Sequence, residues 1–377
     1  MKIIGFMTGT SLDGIDMAVL ETDGEARLSF GPFSEKPMPP EVRAVLEAAT
    51  KDALGWARGT AEPESFEVAR RAIADYHLEA LTAFVSENGL NLGDFDALGV
   101  HGQTVLHERP RDGVKGRTVQ LFDGAWFAEK TGLPVVCDFR RADIEAGGEA
   151  APLAPVYHRA LVQAAGLELP VVVVNLGGVA NITVVTGDGL TALDTGPASG
   201  LMDQWMRQHT GLLFDENGAV AARGSADGHV VADYIRHPYF LQDAPKSLDR
   251  YDFTLDPISH LGLEDGMATL LMFTATSLRF EIFKYAQKAS AIILCGGGRN
   301  NIQLVKVLKQ TLSDIAPVRI AEELGWRGGA IEAEAFAYMA ARSLKGLPIS
   351  FPGTTGVKAP LTGGVVYRPD PSLRRSA

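Results

Sequence analysis

The sequence predicts an α/β protein of two related domains that face each other across a cleft, each with a mixed sheet flanked by helices. Three observations predict it. An apolar run, a Gly-rich polar turn and a second apolar run open the chain at 3–20 and return at 171–185. Both copies close on a further turn, Thr22-Asp23-Gly24 in one and Thr186-Gly187-Asp188-Gly189 in the other. At 377 residues the chain is long for one core, and two domains are the natural expectation.

The elements follow in order. Segments 2–6 and 15–22 read as strands, and Asp23-Gly24 turns into a third strand at 26–30. Segments 40–54 and 64–86 carry apolar residues at helical spacing. Short apolar strands at 95–100, 118–121 and 134–137 follow, with a helix at 124–130 between the last two. The second half restarts at 171 with the repeated strand pair and a third strand at 190–193. A helix containing Met202, Trp205 and Met206 comes next, then a long helix over 266–286. An apolar strand at 291–295 runs through Gly296-Gly297-Gly298 into a helix that continues through Lys309. An Ala-rich helix occupies 331–344, and the Gly-, Thr- and Pro-rich tail from Phe351 reads as irregular. The expected domains are 1–132, with the tail 352–377 packing back on it, and 133–351.

Composition narrows the function. A formal net charge of −11 argues against nucleic acid or an anionic membrane as partner, since basic surface drives such binding. The two cysteines, Cys137 and Cys295, lie far apart and end apolar runs, so buried reduced thiols are expected. The apolar stretch after Lys2 is too short for a secretory leader, and no run is long enough to cross a bilayer. A cytoplasmic enzyme is the expectation.

Several motifs carry chemistry. In the first turn, Gly9, Thr10, Ser11, Leu12, Asp13, Gly14, Ile15 and Asp16 combine glycine amides, hydroxyls and carboxylates, which suits a phosphate-binding hairpin. Asn175, Gly177 and Gly178 form the same device in the second copy. Gly296, Gly297 and Gly298 with Asn300 follow a buried strand, where backbone can lie flat against an adenine or hold a phosphate at a helix start. Ordinary turns and close strand–helix packing are the plainer readings of these loops. Asp194 stands at the end of a buried strand before Thr195-Gly196-Pro197, where it suits a general base or a helix cap. His101, Gln103 and Thr104, with Arg140 and Asp143, follow short strands and offer groups for a polyhydroxylated ligand. Arg140 could clamp a carboxylate there. Glu332 shares a helix face with Phe336.

The three glycine loops together resemble the nucleotide-binding set of the actin, sugar-kinase and heat-shock-ATPase superfamily, which implies two ribonuclease-H-like domains. More specifically, Gly5 to Asp16, Val100 to Pro110, Asp138 to Pro155, Asn175 to Thr183 and Asp194-Thr195-Gly196-Pro197 resemble the anhydro-N-acetylmuramic acid kinase family. The resemblance implies a peptidoglycan-recycling enzyme. It would convert 1,6-anhydro-N-acetylmuramic acid, ATP and water to N-acetylmuramic acid 6-phosphate and ADP, with Asp194 as the base. It also implies Mg2+ held by Asp16 and Glu332, and a homodimer stands among the expectations. Three places depart from the family pattern. Thr8 replaces Ser, Ala198-Ser199 replaces Gly-Asn, and Glu149-Ala150 replaces Gln-Gly. A kinase for a neutral 1,6-anhydro-sugar such as 1,6-anhydroglucose, a nucleotide-dependent sugar sensor and a two-carboxylate glycosidase are the competing readings.

Overall fold

The computed structural model describes residues 1–111, 113–248 and 252–370. In chain order the elements begin β1 (Lys2–Met7), β2 (Gly14–Thr22), β3 (Leu28–Pro37), α1 (Pro40–Gly55), α2 (Glu64–Glu87), β4 (Ala97–Val100), β5 (Gln103–Glu108) and β6 (Arg117–Leu121). They continue with α3 (Gly124–Thr131), β7 (Val135–Cys137), α4 (Arg141–Glu145), α5 (Pro155–Ala164), β8 (Val171–Leu176), β9 (Val179–Val185) and β10 (Leu190–Pro197). Next come α6 (Ser199–Thr210), α7 (Gly228–Ile235), α8 (Leu263–Tyr285), β11 (Ala291–Cys295), α9 (Ile302–Thr311) and β12 (Val318–Ile320). The last are α10 (Ile331–Leu344), α11 (Pro352–Thr355) and β13 (Val365–Tyr367). No described helix is long and apolar enough to cross a membrane.

Contacts divide the chain into a unit of Met1–Ala164 with the segment from Glu332 onward, and a unit of Ala165–Ile331. The divide therefore falls away from the expected 132/133 and 351/352. Strand β7 pairs in parallel with β4, so the chain past 132 still belongs to the first sheet. Helix α10 belongs to it too, as its contacts with β1 and β4 show. Strand β13 pairs antiparallel with β7, which brings the tail onto this unit as an ordered strand. Residues 371–377 of that tail lie outside the described residues.

The first sheet has the order β13-β7-β4-β1-β2-β3 and the second β10-β9-β8-β11-β12. In the first, β1 pairs antiparallel with β2, β2 antiparallel with β3, and β4 parallel with β1. In the second, β8 pairs antiparallel with β9, β9 antiparallel with β10, and β11 parallel with both β8 and β12. This is the ribonuclease-H-like order twice over, so the sequence repeat reflects a repeated topology. Each unit has its own core. One gathers around Ile4, Phe6, Ile73, Leu98 and Phe127, the other around Val172, Ile182, Leu193, Phe273 and Ile292.

Local departures have physical causes. Strand β3 runs on to Pro37 instead of stopping near Phe30, because it is the sheet edge, where Pro32 and Pro37 break no inner ladder. Gly31 lies against Val19, whose Cγ1 would stand 2.6 Å from a Cβ there. The hairpin β5–β6 begins at Gln103, inside a segment whose polar residues mask any period-two alternation.

Helix α10 lies directly on the first sheet. A Cβ on Gly5 of β1 would stand 1.9 Å from the Ala333 carbonyl oxygen, and one on Gly99 of β4 would stand 2.3 Å from that of Phe336. Both neighbours are main chain, so the helix would have to lift. Gly99→Ala is expected to destabilise the chain by about 3 kcal/mol, measured by urea unfolding, whereas a loss near zero would mean that α10 is free to shift.

Candidate active site

Parallel strands in each sheet end at one edge, and the loops singled out from the sequence leave from those edges. In the first unit these are the β1–β2 loop, the turn after β4 and the segment after β7. In the second they are the β8–β9 loop, the turn after β11 and the end of β10. Open α/β sheets bind ligands outside the carboxyl ends of their strands.

The β1–β2 loop is closed by the Leu12 amide donating to the Gly9 carbonyl at 3.3 Å. Leu12 takes a left-handed φ of 55° and buries its side chain, as does Ile15, so any ligand contact from these two is through main chain. Gly14 is explained by packing, since a Cβ would stand 2.3 Å from the Lys36 carbonyl oxygen. Thr10, Ser11 and Asp13 are exposed at the tip, with the Ser11 hydroxyl donating to Asp13 Oδ1 at 2.8 Å. The loop is tethered from behind. Thr8 donates its hydroxyl to the Gly102 carbonyl at 2.8 Å, and Gln103 Nε2 donates to the Gly9 carbonyl at 3.2 Å.

His101 is buried, and its hydrogen bonds define its tautomer. Nδ1 lies 3.1 Å from the Thr8 carbonyl oxygen and must donate, while Nε2 accepts from Arg140 Nε at 3.3 Å. Burial, then the Arg140 charge, hold its pKa down to about 3. Both ring nitrogens are engaged within the fold, one by the Thr8 carbonyl and the other by Arg140. Arg140 Nη1 donates to the Ala150 carbonyl at 2.5 Å. Asp143 is likewise internal. Its Oδ1 accepts from the Ala150 amide at 2.7 Å and its Oδ2 from the Thr355 hydroxyl at 2.6 Å. It thus links the Ala150 turn to Thr355 from within the fold. Thr104 Oγ1 accepts from Gln120 at 3.1 Å. Gln103 is 1% exposed, and its Oε1 accepts no hydrogen bond from any described residue.

Asp16 sits in an acidic neighbourhood. Glu35 is its register partner on β3, and α10 carries Glu332 toward it. Burial, then Glu35, Glu332 and Asp13, push the Asp16 carboxyl from 3.8 up to about 7. This all-oxygen set of carboxylates fits a hard cation that keeps part of its water shell. Among the described residues no group of three or more His, Cys, Asp or Glu is placed to hold a metal by itself.

In the second unit, the β8–β9 loop turns its carbonyls onto the start of α6. Gly178 accepts from the Ala198 and Gly200 amides, and Gly177 from Ser199, each at 3.0 Å. The three glycines after β11 separate by role. A Cβ on Gly296, where φ is 76°, would meet Asn175 Oδ1 at 2.3 Å, and one on Gly298 would meet Leu176 at 2.8 Å. Gly297 is exposed with nothing within 4 Å of a Cβ. Asn300 is exposed, while Asn301 caps α9 by accepting from the Leu304 amide at 2.9 Å.

Asp194 lies on β10 at a bulge between Asp194 and Gly196, a device that re-aims a side chain. Its amide donates to the Lys246 carbonyl at 3.0 Å and its carbonyl accepts from the Tyr239 hydroxyl at 2.6 Å. Its Oδ2 accepts from the Leu248 amide at 2.7 Å. The Asp194 side chain is thus held as a hydrogen-bonded carboxylate and is no helix cap, since Ala198 takes that position for α6. Neither Tyr239 nor Lys246 stands out in the sequence, because no local pattern ties them to Asp194.

His77 and His158 are buried and held down to about 4, and His101 to about 3, from 6.5. At these three histidines the unfolded chain binds more protons than the folded one below about pH 6.5, so their contribution to stability falls with pH toward 4, while the raised Asp16 carboxyl works in the opposite sense. Urea midpoints across that window read the sum of the two. His101→Gln, which keeps a donor for Thr8 and an acceptor for Arg140, should shift the slope of stability against pH by about one proton, toward less acid destabilisation. An unchanged slope would show that His101 titrates normally.

A family model described as anhydro-N-acetylmuramic acid kinase matches residues 1–369. An anhydro-N-acetylmuramic acid kinase of Caulobacter vibrioides is 55% identical over 97% of this chain and 98% of its own. One from Phenylobacterium zucineum is 51% identical over 98% of this chain and 100% of its own. Among solved structures, the activator of the 2-hydroxyisocaproyl-CoA dehydratase from Clostridium difficile with bound ADPNP is 12% identical. It covers 92% of this chain and 97% of its own at a TM-score of 0.44. The match over nearly the whole chain is decisive: the chain belongs to the anhydro-N-acetylmuramic acid kinase family.

Proposed function

We propose that the chain is an ATP-dependent kinase of peptidoglycan recycling, working in the cytoplasm where ATP is available. It opens 1,6-anhydro-N-acetylmuramic acid with water and phosphorylates O6, giving N-acetylmuramic acid 6-phosphate and ADP. Family membership supports the activity, and the observation that carries the chemistry is the clamped carboxylate of Asp194 at the β10 bulge. Asp194 takes a proton from water as the water oxygen bonds to C1 and the C1–O6 bond breaks. The departing O6 bonds to the γ-phosphorus as the bond to the ADP oxygen breaks. The proton then passes from Asp194 to solvent.

Other residues take roles that their surroundings support. Gly9, Thr10, Ser11 and Asp13 offer exposed or half-exposed groups for phosphate oxygens. Asn175, Gly177 and Gly178 flank the same edge as Gly296 to Gly298, and open space over Gly297 suits the flat face of adenine. Gln103 Oε1 is the buried acceptor on which a sugar hydroxyl would land. Mg2+, when bound, neutralises charge across the phosphates. Asp16 and Glu332 would hold it, directly or through water. Arg140, oriented by His101 and Ala150, supplies the cation for the lactyl carboxylate.

Two experiments test this reading. Asp194→Asn should lower phosphorylation by roughly 10³-fold and yield no opened, unphosphorylated sugar, while calorimetry finds ATP-analogue binding nearly intact. Opened sugar without phosphate from that variant would refute a shared water-activation step. Arg140→Ala should lower kcat/KM for the muramic sugar by about 10- to 100-fold and spare 1,6-anhydroglucose. Equal losses on both substrates would remove Arg140 as the carboxylate clamp.

A further inference from the structure

A buried ion pair that the proposed chemistry does not use lies behind Asp194. Lys246 and Glu281 meet at 2.7 Å with side chains 2% and 0% exposed. Burial works against both charged forms, lowering the Lys246 pKa and raising that of Glu281. Apolar residues of the same volume would generally serve stability as well as such a pair or better. Stability alone therefore gives little reason for it.

Its contacts give a better one. The Lys246 ammonium donates to Glu281 Oε1, to the Tyr239 carbonyl at 3.1 Å and to the Gln242 carbonyl at 3.2 Å. An ammonium has three N–H groups, and all three are used. Segment 239–246 is thereby wrapped around one charge and anchored to α8 through Glu281. The same segment supplies two of the groups that hold Asp194, the Tyr239 hydroxyl and the Lys246 carbonyl, and the Leu248 amide follows two residues later.

Helix α8 repeats the pattern one turn at a time. Thr274 donates to the Pro197 carbonyl at 3.0 Å, and Ser277 packs under Gly196, its Oγ 3.0 Å from where a Cβ would be. Glu281 then reaches Lys246. Thr274, Ser277 and Glu281 are all buried, and their spacing puts them on one face of the helix. A buried polar stripe on α8 thus runs along the end of β10, contacting 197, 196 and the segment behind 194.

We propose that Lys246 and Glu281 are positioning residues for Asp194, tying segment 239–248 to α8 so that its groups hold the Asp194 main chain and, through the Leu248 amide, its carboxylate in place. The proposal rests on the reading of Asp194 as the base. Lys246 touches no reacting atom in this scheme and acts only through Tyr239, Leu248 and its own carbonyl.

The test uses the full chain. Removing Lys246 alone would strand the Glu281 charge, so the variant is Lys246→Met with Glu281→Met, which replaces the pair by apolar groups. Tyr239→Phe is the second variant, since it deletes a single hydroxyl and spares the core. Steady-state kinetics with ATP and the anhydro-muramic sugar, and amide hydrogen exchange over 192–197 and 239–248, are measured on both. In the double variant kcat should fall about 10- to 100-fold, with both KM values within about threefold and faster exchange confined to those two segments. Tyr239→Phe should lose about 3- to 10-fold in kcat with the KM values unmoved. Full kcat in both folded variants overturns the proposal, as does unchanged exchange over 239–248 in the double variant. Asp194→Asn run alongside separates the two claims. If it retains wild-type kcat, the base assignment itself fails. If it is inactive while the double variant keeps full kcat, only the positioning role fails.

Discussion

The main-chain contact of α10 with the first sheet sets the placement of His101, Phe139 and Glu332 in that unit. With hydrogen as the only side chain at Gly5 and Gly99, the Ala333 and Phe336 carbonyls can settle onto β1 and β4. That depth puts the Phe336 ring 4.8 Å from the His101 ring and 5.5 Å from Phe139. His101, buried under Phe336, stays neutral with its proton on Nδ1, and its bare Nε2 takes the Arg140 guanidinium. The same depth carries Glu332 toward Asp16. One steric fact therefore bears on both the His101–Arg140 contact and the acidic neighbourhood of Asp16.

The repeated topology yields two edges with different chemistry. In the first unit the edge is built from side chains: hydroxyls at the loop tip, carboxylates at Asp13 and Asp16, and an amide at Gln103. In the second it is mostly main chain. The Gly177 and Gly178 carbonyls are occupied by α6 amides, and Gly296 and Gly298 are fitted against Asn175 and Leu176. Asp194 is the exception, and it is held by main-chain groups and one phenol. A fold used twice has diverged in what it presents, while the strand order has stayed the same.

Much of this was legible in the sequence because glycines and strand ends are local signals. Gly9, Gly177 and Gly297 announced their loops, and Asp194 could be picked out as an acid at the end of an apolar run. What stayed hidden was long-range. Lys246 and Glu281 are 35 residues apart, and nothing near either predicts their meeting. The internal use of Asp143 was hidden for the same reason, since Thr355 lies 212 residues away. The internal contacts of His101 were hidden too, because a sequence shows a titratable ring and not the two protein groups beside it. The domain divide was misplaced because a three-residue strand such as β7 carries no sign of which sheet it joins.

The positions expected from the resemblance to depart from the family pattern make main-chain or hydroxyl contacts within the fold. Thr8 keeps the donor that Ser would supply to the Gly102 carbonyl. Ala198 and Ser199 lend only their amides to the β8–β9 loop in those contacts, which any residue other than Pro can do. Glu149 donates its amide to the Thr355 carbonyl at 2.7 Å, and Ala150 uses its amide and carbonyl to link Asp143 with Arg140. Ala150 does this at a φ of 57°, a left-handed conformation that Gly adopts freely and Ala at a cost of about 1 kcal/mol. A Gly at this position would relieve that backbone angle, while Ala150 still makes the hydrogen bonds that link Asp143 with Arg140.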